Sequence, residues 1–193
     1  MKKIIIFGSN GGLGTELKNL LKNYLIIAID KKKINFANQN SKKKIDNLLD
    51  KVSPDIIVNC AGVLGSNITD YKKVFDVNFS SNWDILRYYL LKKNKKKIKI
   101  IFIGSSGFNK GKKDYMLYAA SKSALVSLYV SAREVLKKKN IVLKIFHPGT
   151  MNTKMIKDLK YKKKIKKNST KNVAKKITDC YKLQWKKKLL LQA

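Results

Sequence analysis

Tyr118 and Lys122 stand four residues apart in "YAASK", a stretch of helical character, so their side chains share one helix face. A phenol titrates near about 10 and is a poor proton donor or acceptor at neutral pH until a close cation stabilises its phenolate. Lys122 is placed to be that cation, which makes Tyr118 a candidate proton carrier. Ser105 precedes Tyr118 by thirteen positions at the end of an apolar run, where a hydroxyl can donate to a carbonyl oxygen as charge develops on it. Ser106 is adjacent, and the spacing to the tyrosine favours Ser105. Nearer the start, "IFGSNGGLGTEL" interrupts an apolar run with Gly8, Gly12 and Gly14, and bare backbone there lets a pyrophosphate approach a helix N-terminus. Asp30 closes the next apolar run, where a carboxylate can accept hydrogen bonds from a ribose.

These residues need a frame that gathers them. Short apolar, β-branched runs occur at 3–7, 25–29, 55–60, 98–104 and 141–146, each too short and too bounded for a helix. Between them lie helical patterns: Leu13 to Leu21, Ile45 to Leu49, Val74 to Leu91 and Leu117 to Leu136. Buried strands alternating with helices predict an α/β fold, a doubly wound parallel sheet of the Rossmann type with helices on both faces. No repeat or linker divides residues 1–193, so one domain is expected, with lysine clusters at 92–97, 137–139 and 162–167 marking helix ends and loops. The ligand edge of such a sheet is the C-terminal end of its strands, where Ser105 and the glycine turn both fall.

Six motifs in order carry a resemblance: Gly8-x-x-x-Gly12-x-Gly14, "NCAG" (59–62), Val77–Asn78, "IGSSG" (103–107), "YAASK" (118–122) and "HPGTMNT" (147–153). On these the chain resembles the short-chain dehydrogenases/reductases. The resemblance implies hydride transfer between nicotinamide C4 and a carbonyl or alcohol carbon. Ser105 would polarise the oxygen and Tyr118 would pass the proton. Lys122 would lower the tyrosine's pKa and hold the nicotinamide ribose, and Asn78 would hold a water through which Lys122 relays protons. Cofactor contacts are implied at Gly8, Asn10, Gly12, Leu13 and Gly14, and at Asn59, Ala61 and Gly62. Pro148, Gly149, Met151 and Thr153 would line the nicotinamide end, the last two at its carboxamide. Asn35 and Phe36, on a short third strand, would flank the adenine.

The chain departs from the family pattern at Phe7, Cys60 and Asn35, and its serine loop is one residue shorter. A reduced C-terminal end is expected, with Leu189–Leu191 as the remnant of a seventh strand, and residues 154–168 stand where the family has its substrate loop. Asp30 favours NAD(H), since it would repel a 2′-phosphate; Lys31, Lys32 and Lys33 leave NADP(H) possible.

The formal charge of +32 invites a polyanion as partner, but 44 basic residues include only Arg87 and Arg133 as arginines, and the lysines run the length of the chain. A solvated lysine surface is expected, with no specific nucleic acid. No apolar stretch is long enough for a membrane span, and the opening "MKKIIIF" has too short an apolar run for a signal peptide, so a cytoplasmic protein is expected. Cys60 and Cys180 lie far apart without a paired histidine, which argues against a disulfide or a metal site. His147, the one histidine, reads as a loop residue. Helices 78–93 and 116–136 carry apolar residues on more than one side, and a homodimer or homotetramer is expected. A dinucleotide-binding sensor and a polyanion binder are the other readings, and the Ser-Tyr-Lys set argues for a catalyst acting on a small carbonyl or alcohol.

Overall fold

The computed structural model describes residues 1–65, 71–92, 96–109, 114–136, 139–156 and 167–186. Five strands, β1 (Lys3–Phe7), β2 (Leu25–Ile29), β3 (Ile56–Asn59), β4 (Ile98–Ile103) and β5 (Ile141–Phe146), form a parallel sheet in the order β2-β1-β3-β4-β5. The register aligns their C-terminal ends: Phe7 pairs with Ile29 and Asn59, Asn59 with Phe102, and Ile103 with Phe146. The chain winds from β1 to β2 in one direction and returns to β3 on the other side of β1. A crevice opens at that reversal.

Side chains alternate along each strand and feed two cores. Ile5, Phe7, Ile57, Ile100 and Phe102 face α2 (Ser41–Val52), α4 (Ser81–Leu91) and α5 (Met116–Leu136), packing on Ile45, Leu49, Leu86 and Leu125. Ile4, Ile6, Val58 and Ile101 face α1 (Gly12–Leu20) and α6 (Thr170–Lys186), packing on Leu13, Leu17, Val173 and Ile177. Helices therefore cover both faces, as the sequence predicts. None of the helices among the described residues is long and apolar enough to cross a membrane.

Three features differ from the sequence reading. The predicted short third strand does not form: residues 31–40 are turns, in which Asn35 Oδ1 accepts from the Ala37 N–H and Asn35 Nδ2 donates to Asn38 Oδ1. Local amide bonds of this kind compete with a ladder, while Ile34 and Phe36 still bury their side chains in the core. The helical run from Val74 to Leu91 is divided into α3 (Tyr71–Phe75), a π turn at Asp76–Ser80, and α4. Helix α6, which the sequence reading passes over, supplies Val173, Ala174 and Ile177 to the second core. Leu189–Leu191 lie outside the described residues.

Candidate active site

The turn after β1 is built from glycine for steric reasons. Gly8 adopts φ +70°, and a Cβ on it would stand 2.7 Å from the Ala61 nitrogen; on Gly14 one would stand 2.3 Å from the Gly8 carbonyl oxygen. The bare backbone thus lets α1 start against β1 and the β3 exit. No side chain caps the N-terminus of α1, and its first residues line the crevice, where uncapped N–H groups can receive an anion. At β2's end the Asp30 carboxylate accepts from Asn10 Nδ2 at 2.6 Å and from the backbone N–H of Lys32 and Lys33. Lys33 Nζ donates to the Ala28 carbonyl and is thereby tied down, whereas Lys31 lines the cavity.

That cavity, about 1060 Å³, runs from Asp30, Asn35 and Phe36 past Gly8, Asn10, Gly12, Leu13 and Gly14. It continues over Ala61 and Gly62 to Ser105, Tyr118 and Lys122, with Pro148, Gly149, Met151 and Thr153 on its wall. The sequence-predicted residues are brought together there, apart from Asn59 and Asn78. The volume is at the upper end for small-ligand sites, as a dinucleotide plus a substrate would need.

Ser105 and Tyr118 both line the cavity, and the serine hydroxyl lies near enough to the phenol to lower its pKa. Ser105 Oγ also accepts from the Gly107 N–H at 3.1 Å, while Ser106 is exposed and its N–H donates to the Pro148 carbonyl. Both serines line the cavity, and Ser105 is the one whose hydroxyl bears on the Tyr118 phenol. Lys122 is buried; its Nζ donates to the Ile103 carbonyl at 2.8 Å and lies 5.8 Å from the centre of the Tyr118 ring. Burial pushes the lysine down to about 8 and pushes the nearby Cys60 thiol up to about 12. Burial likewise raises the Tyr118 phenol, against the lowering influence of Ser105. The sequence reading expects Lys122 to depress the tyrosine; here desolvation is the largest influence on the phenol, and the lysine amine donates to the Ile103 carbonyl.

Asn59 and Asn78 sit behind the wall rather than in it. Asn78 Oδ1 accepts from the Val63 N–H, and its Nδ2 donates to the Val63 carbonyl and to Ser121 Oγ. Asn59 Nδ2 donates to Ser81 Oγ and Asn82 Oδ1, and its Oδ1 accepts from the Ala61 N–H. These buried amides fasten the 61–63 wall to α4 and α5. Ser81, Asn82 and Ser121 belong to that network and were not found from sequence, since their partners lie up to 43 positions away. Tyr115, whose ring meets Tyr118 edge to face at 6.0 Å, also lines the cavity. Its place one helical turn before Tyr118 was the available signal.

A 3-oxoacyl-(acyl-carrier-protein) reductase of Buchnera aphidicola subsp. Schizaphis graminum is 28% identical over 89% of this chain and 84% of its own. A short chain dehydrogenase from Burkholderia cenocepacia, solved in complex with NADP, superposes with a TM-score of 0.81 at 16% identity, over 94% of this chain and 86% of that one. A 4-hydroxyisoleucine dehydrogenase complexed with NADH gives 0.79 at 22% identity, over 94% and 91%. At these identities the two structures speak for the fold. The model of the short chain dehydrogenase family matches residues 2–164, through all six motifs, and the chain belongs to that family of NAD(P)-dependent oxidoreductases.

Proposed function

We propose that this chain transfers hydride between a nicotinamide dinucleotide and the carbon of a small carbonyl or alcohol, with Ser105, Tyr118 and Lys122 as its acting side chains. The observation that carries the reading is that Ser105, Tyr118 and Lys122 line the same cavity as the glycine turn and Asp30. The uncapped start of α1 suits a pyrophosphate and Asp30 suits a ribose diol, so the residues present fit the cofactor. A bound nicotinamide supplies or accepts the hydride. Ser105 donates to the substrate oxygen as charge develops on it. Tyr118, a phenol protonated at neutral pH, passes the proton, with Ser105 acting to lower its pKa against the desolvation that raises it. Lys122 holds the nicotinamide ribose and takes up or releases protons near its own pKa of about 8. Asn78 acts as a positioning residue, because both polar atoms of its side chain are engaged by Val63 and Ser121.

NAD(H) is favoured over NADP(H). Asp30 is held in place by Asn10 and faces the cavity, and a 2′-phosphate beside it would meet a fixed negative charge. The test is turnover with both nicotinamides against a panel of carbonyls. It begins with a short 3-oxoacyl thioester, because the Buchnera relative is named a 3-oxoacyl reductase. Oxidation of NADH by one of them is expected; firm cofactor binding with no turnover of any carbonyl would favour the sensor reading.

A second copy of this chain is the partner proposed for α4 and α5, which leave Trp83, Leu91, Val130 and Val135 exposed. Light scattering at micromolar concentration is expected to give a dimer or tetramer, and a monomer would refute this.

A further inference from the structure

The only histidine of the chain lies outside every role assigned so far. It follows β5, packs its ring on Phe108 with centroids 4.7 Å apart, and rests against Gly104, where a Cβ would stand 2.6 Å from Nδ1. Its Nδ1 lies 3.1 Å from the Ser105 carbonyl oxygen. A carbonyl can only accept, so the proton of this bond is on Nδ1. The serine loop is otherwise held by the Pro148 carbonyl at the Ser106 N–H, by Ser123 Oγ at the Phe108 carbonyl, and within itself by the Phe108 N–H, which donates to the Ser105 carbonyl at 3.4 Å, and the Gly107 N–H, which donates to Ser105 Oγ. Among these ties the histidine is the one that grips the main chain of Ser105 through a side chain, and it does so from the neighbouring strand.

We infer that His147 is a positioning residue, which fixes Ser105 against Tyr118 by donating Nδ1–H to the Ser105 carbonyl. The inference rests on the reading of Ser105 as the group that polarises the substrate oxygen. A serine displaced by a fraction of an ångström loses its alignment with the phenol, and misplacement of about 1 Å can cost on the order of a hundredfold in rate. Both the imidazolium and the Nδ1–H tautomer can donate here, so the contact survives protonation of the ring.

The first test needs neither a substrate nor a variant. With one histidine in the chain, nitrogen-15 labelling of histidine yields a single ring in proton–nitrogen correlation spectra. The neutral ring is expected to carry its proton on Nδ1, and a proton on Nε2 would overturn the inference. The second test uses the acetoacetyl thioester of N-acetylcysteamine with saturating NADH. His147→Phe keeps the ring and removes the donor; kcat is expected to fall about tenfold, with KM and cofactor affinity within about twofold of the parent. His147→Asn, whose amide N–H can reach the same carbonyl, is expected to restore most of the rate. Equal losses in the two variants, or no loss in His147→Phe, would overturn the inference. Should His147→Phe not fold, Gly104→Ala displaces the ring from the other side and is expected to lower kcat similarly. In a Ser105→Ala background His147→Phe is expected to change nothing further, and an undiminished tenfold loss there would show that the histidine does not act through Ser105. If Ser105→Ala alone leaves kcat unchanged, the reading of Ser105 fails, while the tautomer still reports on the histidine contact itself.

Discussion

At one end of the cavity a half-buried carboxylate, Asp30, accepts from an asparagine amide and two backbone N–H groups, with lysines exposed around it. At the other end Lys122 is buried with Tyr118 and Cys60 half-buried beside it, and desolvation pushes Lys122 down to about 8, Cys60 up to about 12 and Tyr118 upward. The difference separates two tasks. A carboxylate near water discriminates between ligands by its charge while remaining solvated, so it sets which dinucleotide is preferred. Enclosed groups lose solvation of their charged forms, so small changes in their surroundings alter when they hold a proton. Substitutions at the first end should therefore move cofactor selectivity, and substitutions at the second should move turnover.

Lys122→Ala is the harshest way to break that separation, because Lys122 serves both the proton and the ribose. Turnover is expected to fall by about a thousandfold or more, and dinucleotide affinity by about tenfold. Steady-state rates and calorimetric titration would measure the two, and retained turnover would remove Lys122 from the chemistry. Asp30→Ala sharpens the comparison from the opposite side. The ratio of NAD to NADP affinity is expected to drop by about tenfold, with kcat at saturating NADH changed by no more than about threefold. An unchanged ratio would transfer selectivity to Lys31.

The smallest effect is one of stability. In the unfolded chain Lys122 keeps its proton to about 10.4, whereas in the folded chain it releases it near about 8. Between those values the unfolded state binds more protons, so this group's contribution to stability rises with pH across the interval. Below about 8 the buried charge costs its full amount. Lys122→Met is expected to raise the melting temperature by a few degrees at pH 7, and the gain should shrink as the pH is raised through 8 toward 10. A gain independent of pH would mean that packing, not charge, accounts for it.

What could be read from sequence was local. The glycine turn and the Tyr118–Lys122 pair are fixed by spacings of a few residues, and the five strands by compact apolar runs, so their geometry followed from short windows. Ile34-Asn35-Phe36 alternates like a strand, yet the Asn35 amide closes a turn, and that competition between side chain and ladder depends on angles a pattern does not carry. That Ser105 rather than Ser106 bears on Tyr118 shows only once the β4 exit is placed beside α5. The clamp of Asn59 and Asn78 on Ser81, Asn82 and Ser121 joins residues separated by 22 to 43 positions, so their pairing appears only once α4 and α5 are docked.

The central claim is that Tyr118 carries the proton at the enclosed end. Tyr118→Phe retains the ring and its packing and deletes only the hydroxyl, so it separates chemistry from binding. Its single-turnover rate, measured with NADH bound and the carbonyl found by the panel, tests the claim most directly. The rate is expected to fall by at least about a hundredfold, with the dissociation constant of NADH within about twofold of the parent. A variant that binds NADH as tightly and still reduces the carbonyl at most of the parent rate would contradict the account.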